Sequence, residues 1–460
     1  MSALPPAFGY QQYMRQKVAS RKRTAIIAPP GAGKTRPVIE GVGDLGGFSQ
    51  AVLIVCSGSA ISTWKRQIPL WGHCPDYADE IHIVRGNKED RIELWKQAKD
   101  TNYGTYITNA SVFLRDYGHI QKHAWNAVLA DEYHKFMRRH KGETFKKFRS
   151  MTRHIPILVL ATGSLARRNA SSMFTAFTLV APQIWRSYWK YVKAFCYIDD
   201  SGYGQRVYGV KNAESLRKVM DEYFAYIPPE VVADEMPEGR RVGIDVEMDS
   251  EQTRIYDELD QEMISIVGSG VIVAQTIFSK ITRIRQLLCC PRILDESLGL
   301  GAAYAMTVES LEDQPHVIIF VPFRPACDHF AEDLSKRGYK NVFILRGGTD
   351  DVEQQEIINK FRETKGILLC TIQYAESFDC ESCDTSHFIG YDLTVDQNEQ
   401  AEGRTRRNIS KHEFVTWNYY KYNCDIDQHF LYKLGEDADN VRLIMGRSDE
   451  YIRKVKDHKN

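Results

Sequence analysis

The sequence lacks the features that would mark a secreted or membrane-embedded protein. No stretch of its 460 residues approaches the ~18 uninterrupted apolar residues of a membrane-spanning helix. The first residues, Met1 to Pro6, have neither the basic start nor the apolar core of a signal peptide. The ten cysteines follow no regular spacing, which favours reduced thiols over a disulfide framework. We therefore expect a cytoplasmic location, or the host cytoplasm for a viral or phage protein, and a nuclear location stays open.

The sequence also lacks a net charge, since 60 Lys and Arg balance 60 Asp and Glu. The overall charge therefore gives no argument for a nucleic-acid partner. No short repeat and no low-complexity tract is present. With 43% hydrophobic and 26% charged residues, the composition is that of an ordinary globular protein. The length predicts about two to four domains.

What is present begins with a glycine-rich segment near the N-terminus. Thr24 to Ile27 is a short apolar run that predicts a buried strand, and Gly-Ala-Gly-Lys-Thr at 31–35 leads from it into a predicted helix. This arrangement is typical of a phosphate-binding loop, although Ala28 stands where the first glycine is usual. Lys34 would reach the β- and γ-phosphates, and the Thr35 hydroxyl would ligate Mg²⁺. The residues predicted to bind a nucleoside triphosphate are Pro30, Gly31, Ala32, Gly33, Lys34 and Thr35.

A second apolar run, Val128 to Ala130, ends in two carboxylates. In a phosphate-loop enzyme the first carboxylate holds Mg²⁺, directly or through its water shell, and the second polarises the attacking water. We therefore predict that Asp131 holds Mg²⁺ together with Thr35 and that Glu132 is the general base. His134 is predicted to couple the nucleotide to the next strand.

The next strand carries hydroxyl groups where it ends. Thr162 and Ser164 follow the apolar run Ile157 to Ala161. Ligands bind at the carboxyl ends of parallel strands in open α/β sheets. We expect these hydroxyls to sense the water bound to Mg²⁺ and to relay that signal to a bound strand.

Two arginines far downstream complete the predicted catalytic residues. Arg404 and Arg407 are three residues apart, so they would share one face of a helix, whereas Arg406 would point to solvent or to an acidic partner. Two guanidinium groups aimed at a γ-phosphate would stabilise the charge of the transition state. Their distance from the phosphate loop implies an active site that is completed when two lobes close.

The fold prediction follows from the alternation of short β-branched runs with helical patterns. Such alternation is typical of parallel sheets covered by helices, and it occurs twice, with patterns read as helical at 165–230 and 250–290. The sequence therefore predicts an α/β fold with two related lobes. The predicted strands are 25–27, 51–56, 82–84, 105–108, 127–130 and 157–161, then 317–321, 341–345, 366–371, 386–391 and 413–419.

The motifs together resemble those of a superfamily 2 helicase-type motor. They are the phosphate loop, Asp-Glu-x-His at 131–134, Thr-Gly-Ser at 162–164 and Gln-x-x-Gly-Arg-x-x-Arg at 400–407. Four further segments resemble the Swi/Snf-type branch of double-stranded DNA translocases. These are 52–65, 172–195, 281–291 and 345–349, so that the resemblance covers about residues 8–435.

The resemblance implies a monomeric motor that uses ATP and Mg²⁺ and has two RecA-like lobes. It places the ATP-binding lobe at 1–230, with a helical protrusion from about 165, a helical insertion and linker at 231–300, and the C-terminal lobe at 301–460. ATP would lie in the cleft and nucleic acid across both lobes. Gln11 lies at the usual distance before the phosphate loop for a glutamine that reads adenine, and Gln12 is the alternative.

The resemblance also implies strand contacts, which in such motors go largely to phosphates. A tryptophan at position 64 is more often packed in a core than stacked on a base. By motif position, the contacts are Ser57, Trp64, Thr108, Asn109, Thr349 and Thr371.

The sequence departs from the Swi/Snf pattern in the segment after Thr371. The Gly and Asn that usually follow this threonine are absent, and Ala375 to Asp379 stands there, so the coupling of nucleotide to strand is expected to differ. Cys380 and Cys383 follow closely. A lone Cys-x-x-Cys supplies two ligands of the four that zinc needs, which favours free thiols.

The main hypothesis is an ATP-hydrolysing motor that moves on DNA, most of all double-stranded DNA, and remodels DNA structures or protein–DNA complexes. Two alternatives stay open. One is a strand-separating or annealing helicase on branched DNA, and the other is an ATP-regulated nucleic-acid-binding protein with weak hydrolysis. No segment outside the predicted motor is long enough for a chromatin-reading module, so we expect a compact motor of viral, phage or bacterial type.

Overall fold

The protein is described from a computed structural model. The residues that it describes are 6–72, 75–137, 139–163, 170–200, 205–267, 270–273, 276–311, 316–349, 351–378, 380–393, 395–407, 410–428, 431–432, 439, 443–446 and 449–456.

The chain divides into two compact units. The first lobe comprises Met1–Asp234 together with Asp437–Asn460, and the second lobe is Glu235–Glu436. This grouping differs from the boundaries predicted from the sequence. Most of the predicted 231–300 insertion is part of the second lobe, and the last residues group with the first lobe instead of the second.

The first lobe is built on a parallel sheet of seven strands in the order β3-β4-β2-β5-β6-β1-β9. Its central strands are buried along their whole length, because they are apolar on both faces and helices cover both faces. A separate antiparallel hairpin is formed by β7 and β8. The strands are β1 Arg23–Ile27, β2 Val52–Cys56, β3 Ile81–Ile83, β4 Thr105–Asn109, β5 Ala127–Asp131, β6 Ile157–Thr162, β7 Tyr197–Asp200, β8 Gln205–Tyr208 and β9 Phe224–Tyr226.

The helices of the first lobe connect and cover these strands. They are α1 Gly9–Arg21, α2 Thr35–Asp44, α3 Ile61–Trp71, α4 Lys88–Thr101, α5 Ala110–Arg115, α6 Tyr117–Ile120, α7 Glu143–Thr152, α8 Phe174–Val180, α9 Tyr188–Phe195, α10 Ala213–Tyr223 and α11 Pro229–Val232.

The second lobe is built on a parallel sheet of six strands in the order β10-β17-β16-β13-β15-β14. A two-stranded antiparallel hairpin, β11 with β12, stands apart from it. The strands are β10 Glu238–Val246, β11 Ile264–Val267, β12 Gly270–Val273, β13 Val317–Val321, β14 Val342–Leu345, β15 Ile367–Thr371, β16 Thr385–Ile389 and β17 Phe414–Tyr422. The helices are α12 Ser250–Glu262, α13 Ile277–Cys289, α14 Ala302–Ser310, α15 Arg324–Lys336, α16 Asp351–Thr364 and α17 Val395–Glu402.

The predicted fold class, two parallel sheets flanked by helices, is confirmed. Two edge strands, β9 and β10, were not predicted from the sequence. The β10 strand is mostly exposed and polar, so it lacks the apolar run that marks a buried strand. The prediction of continuous helical patterns was wrong for both 165–230 and 250–290. The first range contains the β7–β8 hairpin and β9, and in the second the β11–β12 hairpin separates α12 from α13.

The last described helix, α18 (Asp449–Lys456), packs in the first lobe against α1 and α11. Tyr451 donates a hydrogen bond to the Tyr226 carbonyl over 3.0 Å. Ile444 and Met445, just before this helix, are part of the core of the first lobe. The first lobe is therefore made from both ends of the described chain.

Candidate active site

The phosphate loop leaves the carboxyl end of β1 beside β6. The Ala28 N–H donates to the Thr162 carbonyl over 3.2 Å, which continues the pairing of the two strands into the loop. Gly31 and Gly33 have φ angles of 85° and 69°, a left-handed conformation that favours glycine. Lys34 is the residue that precedes α2, and Thr35 is its first residue. The loop therefore turns directly into a helix N-terminus, whose free N–H groups and dipole suit a phosphate.

Gln11 lies against the backbone of this loop. Its amide nitrogen is 3.4 Å from the Ala32 carbonyl and 3.5 Å from the Gly33 carbonyl. A Cβ at Gly33 would come within 2.8 Å of that nitrogen, so Gln11 would have to shift, and the φ of 69° at Gly33 itself favours glycine. Gln12, the alternative, donates to the Ala7 carbonyl instead. Gln11, and not Gln12, therefore lies against the predicted phosphate loop.

Lys34 reaches from the loop to the carboxyl end of β5. Its ammonium nitrogen lies 3.8 Å from Glu132 Oε1 and 3.2 Å from the Ala28 carbonyl oxygen. The predicted phosphate-binding lysine and the predicted general base are thus brought together from positions about a hundred residues apart.

Glu132 is held by groups from β6 and its following turn. Its Oε2 accepts from the Thr162 hydroxyl at 3.3 Å and from the Gly163 N–H at 3.2 Å. His134 Nδ1 lies 2.6 Å from the Thr162 hydroxyl and 3.3 Å from the same Oε2. Glu132 itself has a left-handed φ of 44°, a conformation that costs energy in a non-glycine residue and often occurs at functional sites. These four residues form one polar network at the edge of the sheet, whereas the predicted Ser164 lies outside the described residues.

The two adjacent carboxyl groups have pKa values shifted in opposite directions. Burial and the neighbouring charge of Glu132 raise the pKa of Asp131, against a hydrogen bond from Trp64. Burial also acts to raise the pKa of Glu132, but the charges of Lys34, His134 and Lys135 outweigh it and lower that pKa. Glu132 is therefore ionised at neutral pH, as a group that accepts a proton must be.

Asp131 is oriented by two donors. Trp64 Nε1 donates to Oδ2 over 2.9 Å, and the Glu132 N–H donates to Oδ1 over 3.0 Å. The sequence gives no sign of the first contact, since Trp64 is 67 residues away. Knowing that β2 and β5 are neighbours in the sheet would have suggested it, because Trp64 lies in the helix that follows β2.

The residues predicted to bind Mg²⁺ fit this ion in their chemistry. A threonine hydroxyl and a carboxylate oxygen are ligands that Mg²⁺ accepts, with water and phosphate oxygens completing an octahedron. Thr35 lies in the first turn of α2, and each oxygen of Asp131 accepts a single hydrogen bond from the donors named above. Among the residues described, no group of three or more His, Cys, Asp or Glu could hold a metal by itself. An Mg²⁺ here would therefore be shared between two side chains and a nucleotide.

The two predicted arginine fingers differ in their surroundings within the second lobe. Helix α17 ends at Glu402, so the expectation that both arginines share a helix face was wrong. Arg404 is 8% exposed and donates to the Gln400 and Phe378 carbonyls at 2.9 and 2.7 Å. Arg407 is partly exposed. Arg406, expected to face solvent or an acidic partner, donates to the Pro237 carbonyl over 2.8 Å.

Of the six predicted strand contacts, three have buried side chains. Trp64, Thr108 and Thr371 are each 2% exposed or less, and the Thr108 hydroxyl donates to the Val84 carbonyl. These side chains therefore present no surface to a nucleic acid in this structure.

The other three predicted contacts lie at the surface. Ser57 follows β2, and Asn109 is the last residue of the neighbouring strand β4. Asn109 accepts a hydrogen bond from the Val112 N–H as the cap of α5. Thr349 caps the turn after β14 by donating to the Arg346 carbonyl. Asp379, in the unusual segment after Thr371, lies outside the described residues.

Cys380 and Cys383 are buried, and neither forms a disulfide within the described part of the chain. Cys383 Sγ lies 3.1 Å from the Thr385 carbonyl oxygen.

None of the helices described is long and apolar enough to cross a membrane.

Two known domain families match most of the chain. The SNF2-related domain matches residues 10–293, and the helicase conserved C-terminal domain matches residues 302–408. The yeast (Saccharomyces cerevisiae) nuclear protein STH1/NPS1 is 20% identical over 406 residues, which are 80% of this chain and 29% of that protein.

Shorter regions are similar to two further proteins. An uncharacterized ATP-dependent helicase of Mycoplasma pneumoniae is 26% identical over 36% of this chain and 18% of its own length. A probable ATP-dependent DNA helicase of Arabidopsis thaliana, CHR23, is 23% identical over 29% of this chain and 12% of its own length. The chain thus spans less than a third of each of these relatives.

Among solved structures, the Sulfolobus solfataricus SWI2/SNF2 ATPase core in complex with dsDNA aligns over 99% of this chain and 98% of that one. The identity is 17% and the TM-score is 0.43.

Proposed function

This chain belongs to the SNF2-related family of superfamily 2 helicase-type ATPases, and from that premise we propose that it is a motor that hydrolyses ATP and moves on double-stranded DNA. The observation that carries the proposal is the convergence of Lys34, Glu132 and Thr162 at the carboxyl ends of three adjacent strands. In such a motor the free energy of hydrolysis would remodel DNA structures or protein–DNA complexes.

In this proposal, the first lobe binds the nucleotide and supplies the general base. Gln11 would read the adenine edge, while the N–H groups of the loop and Lys34 would bind the phosphates. Thr35 and Asp131 would hold Mg²⁺, which neutralises phosphate charge when it is bound. Glu132 would accept the proton of the attacking water, since Thr162 and Gly163 fix its carboxylate and its lowered pKa keeps it ionised.

The second lobe would supply positive charge to the transition state. Arg407 is the better candidate because part of its side chain is exposed, whereas the guanidinium of Arg404 is buried on two carbonyls of its own lobe. We keep Arg404 as a second candidate, because it belongs to the same Gln-x-x-Gly-Arg-x-x-Arg motif as Arg407.

Double-stranded DNA is the proposed track because the chain matches the SNF2-related domain over residues 10–293 and its motifs resemble those of the Swi/Snf-type double-stranded DNA translocases. Ser57 and Asn109 support a track at the carboxyl end of the first-lobe sheet, since both are partly exposed and lie at the ends of adjacent strands. Contacts of this kind go to phosphates and carry little sequence preference.

The test is the rate of ATP hydrolysis by the full chain with a panel of nucleic acids. We expect duplex DNA to raise the rate strongly, more than single-stranded DNA, forked DNA or duplex RNA does. Glu132→Gln is the matched control: it should bind ATP with unchanged affinity but lose turnover by at least about 100-fold, because the positioned base is gone. A wild-type rate that no nucleic acid changes would refute the motor.

Three further outcomes separate the alternatives. Displacement of a triplex-forming strand without unwinding of a fork marks a translocase, and unwinding or annealing of forks marks a branched-DNA helicase. Tight ATP-dependent DNA binding with negligible turnover would mark a nucleotide-regulated binding protein, the role that the altered segment after Thr371 would favour.

A further inference from the structure

Trp64 lies in α3, the helix that follows β2, and its indole contacts the predicted metal ligand Asp131. Its indole is 1% exposed, and its Nε1 lies 2.9 Å from Asp131 Oδ2. A buried indole N–H that donates to a carboxylate makes a charge-assisted hydrogen bond, which is stronger and more directional than one between neutral groups.

This contact sets the orientation of the Asp131 carboxylate. The backbone N–H of the next residue, Glu132, donates a hydrogen bond to Oδ1, and the indole N–H of Trp64 in α3 donates one to Oδ2. With two donors on two different oxygens, the plane of the carboxylate is defined. Each oxygen has two lone pairs, so each keeps one for a metal ion or for a water bound to it.

The position of Trp64 is itself defined by packing. It is among the largest fully buried side chains of the protein, and it lies in the first half of α3 (Ile61–Trp71). Helix α3 is joined to β2 by a short 3₁₀ turn, Gly58–Ala60, and β2 pairs directly with β5, which carries Asp131. The donor therefore stands on a rigid element one strand away from the acceptor.

We propose that Trp64 is a positioning residue for Mg²⁺: its indole N–H orients Asp131 so that the carboxylate receives the ion of the bound nucleotide. This inference rests on the proposed ATP site and deepens it. It gives Trp64 a role inside the first lobe in place of the strand contact that its motif position implies. Partners that orient metal ligands in this way typically change metal affinity or activity about 10- to 100-fold when they are removed.

The test removes the N–H and keeps the ring. In the full chain, Trp64 is replaced by 3-benzothienylalanine, in which sulfur takes the place of the indole nitrogen, and in a second variant by phenylalanine. The measurement is the Mg²⁺ concentration that half-saturates binding of a fluorescent ADP analogue. We expect this midpoint to rise about tenfold in both variants, while binding of the analogue without Mg²⁺ stays as in the wild type.

A matched control lies on the same helix. Trp71 donates its indole N–H to Gln67 rather than to a carboxylate, so Trp71→Phe should leave the midpoint unchanged. The indole ¹⁵N–¹H signal of Trp64, assigned from the Trp64→Phe variant, should shift when Mg²⁺ is added to the ADP-bound wild type. The Trp71 signal should not shift.

The proposal would be overturned if the benzothienylalanine variant had the same Mg²⁺ midpoint as the wild type. It would also be overturned if the variants no longer bound the ADP analogue without Mg²⁺, because Trp64 would then act only in packing. These measurements involve no hydrolysis. A wild-type protein that binds Mg²⁺ and ADP but shows no nucleic-acid-stimulated hydrolysis would refute the motor and leave the role of Trp64 standing.

Discussion

The proposed catalytic residues of the first lobe contact one another, whereas the two arginines of the second lobe differ in their burial. Glu132 and Lys34 meet within the first lobe, so their roles rest on one local geometry. Arg404 and Arg407 share a motif, yet the first is buried on backbone carbonyls and the second is partly exposed. The same sequence pattern therefore combines an arginine bound to carbonyls of its own lobe with one whose side chain is partly exposed.

We predict that Arg404→Ala lowers the free energy of unfolding of the second lobe by about 3 kcal/mol, because two buried carbonyls lose a charged donor. Arg407→Ala should change stability by about 1 kcal/mol or less and reduce turnover by about 10³-fold, with ATP affinity unchanged. Urea unfolding and steady-state hydrolysis measure the two effects.

Arg337→Ala is a suitable control, since Arg337 makes an exposed ion pair with Asp333 in the same lobe and should change neither quantity. If Arg407→Ala unfolds the lobe or abolishes ATP binding, the role of Arg407 is structural, and another residue must stabilise the charge of the transition state.

At the scale of elements, β16 carries a titratable group into the centre of the second sheet. His387 is fully buried between β13 and β17, and its Nδ1 lies 3.1 Å from the Tyr420 hydroxyl. Burial lowers the pKa of His387 to about 4, so the ring is neutral in the folded lobe at physiological pH.

This strand should make the second lobe sensitive to acid. The folded pKa of His387 lies below its unfolded value of 6.5, so the neutral ring contributes stability above that value and loses it as the pH falls towards 4. Between pH 7 and pH 5 the loss amounts to about 2 kcal/mol. We expect His387→Gln, which keeps a partner for Tyr420, to remove this part of the pH dependence.

The measurement is the free energy of unfolding of wild type and variant at both pH values. His329→Gln, a change at a partly exposed histidine of the same lobe, is the control. Parallel pH profiles for wild type and His387→Gln would contradict the prediction.

The elements also show what could be predicted from the sequence. All eleven predicted strands overlap strands of the structure, because most of them are short apolar runs, and only β3, β14 and β17 are largely or partly accessible. The edge strand β10 was missed because it is largely polar and exposed. The β11–β12 hairpin, β7, β8 and β9 were missed because their residues were read as parts of the helical patterns over 250–290 and 165–230. Gln11, Lys34 and Glu132 were found from motifs, whereas the Trp64 contact depends on which strands lie side by side.

For the whole molecule, the notable feature is that the chain leaves the first lobe at residue 234 and returns to it after residue 436. The returning segment buries apolar side chains in the first-lobe core, and α18 packs on α1, the helix that carries Gln11. The ATP-binding lobe therefore depends on residues far from its motifs.

We predict that Ile444→Ala lowers the stability of the first lobe by about 3 kcal/mol, because a fully buried side chain is replaced by a cavity. The neighbouring Leu443 is 49% exposed, so Leu443→Ala should change stability by less than about 0.5 kcal/mol. Hydrogen exchange measured by mass spectrometry assigns the effect to a lobe. Equal effects of the two variants, or an effect confined to the second lobe, would contradict this assignment.

The sequence by itself determined the fold class, the two series of strands and the nucleotide-binding motifs, since these depend on local periodicity and on residues close together in the chain. Only the tertiary structure decided which groups meet. It placed Thr162 and Gly163 on Glu132, Trp64 on Asp131, Arg404 on its own lobe and residues 443–456 in the first lobe. The physical reason is that hydrogen bonds and packing act over a few ångströms in space, and strand order, which local sequence does not encode, brings those residues together.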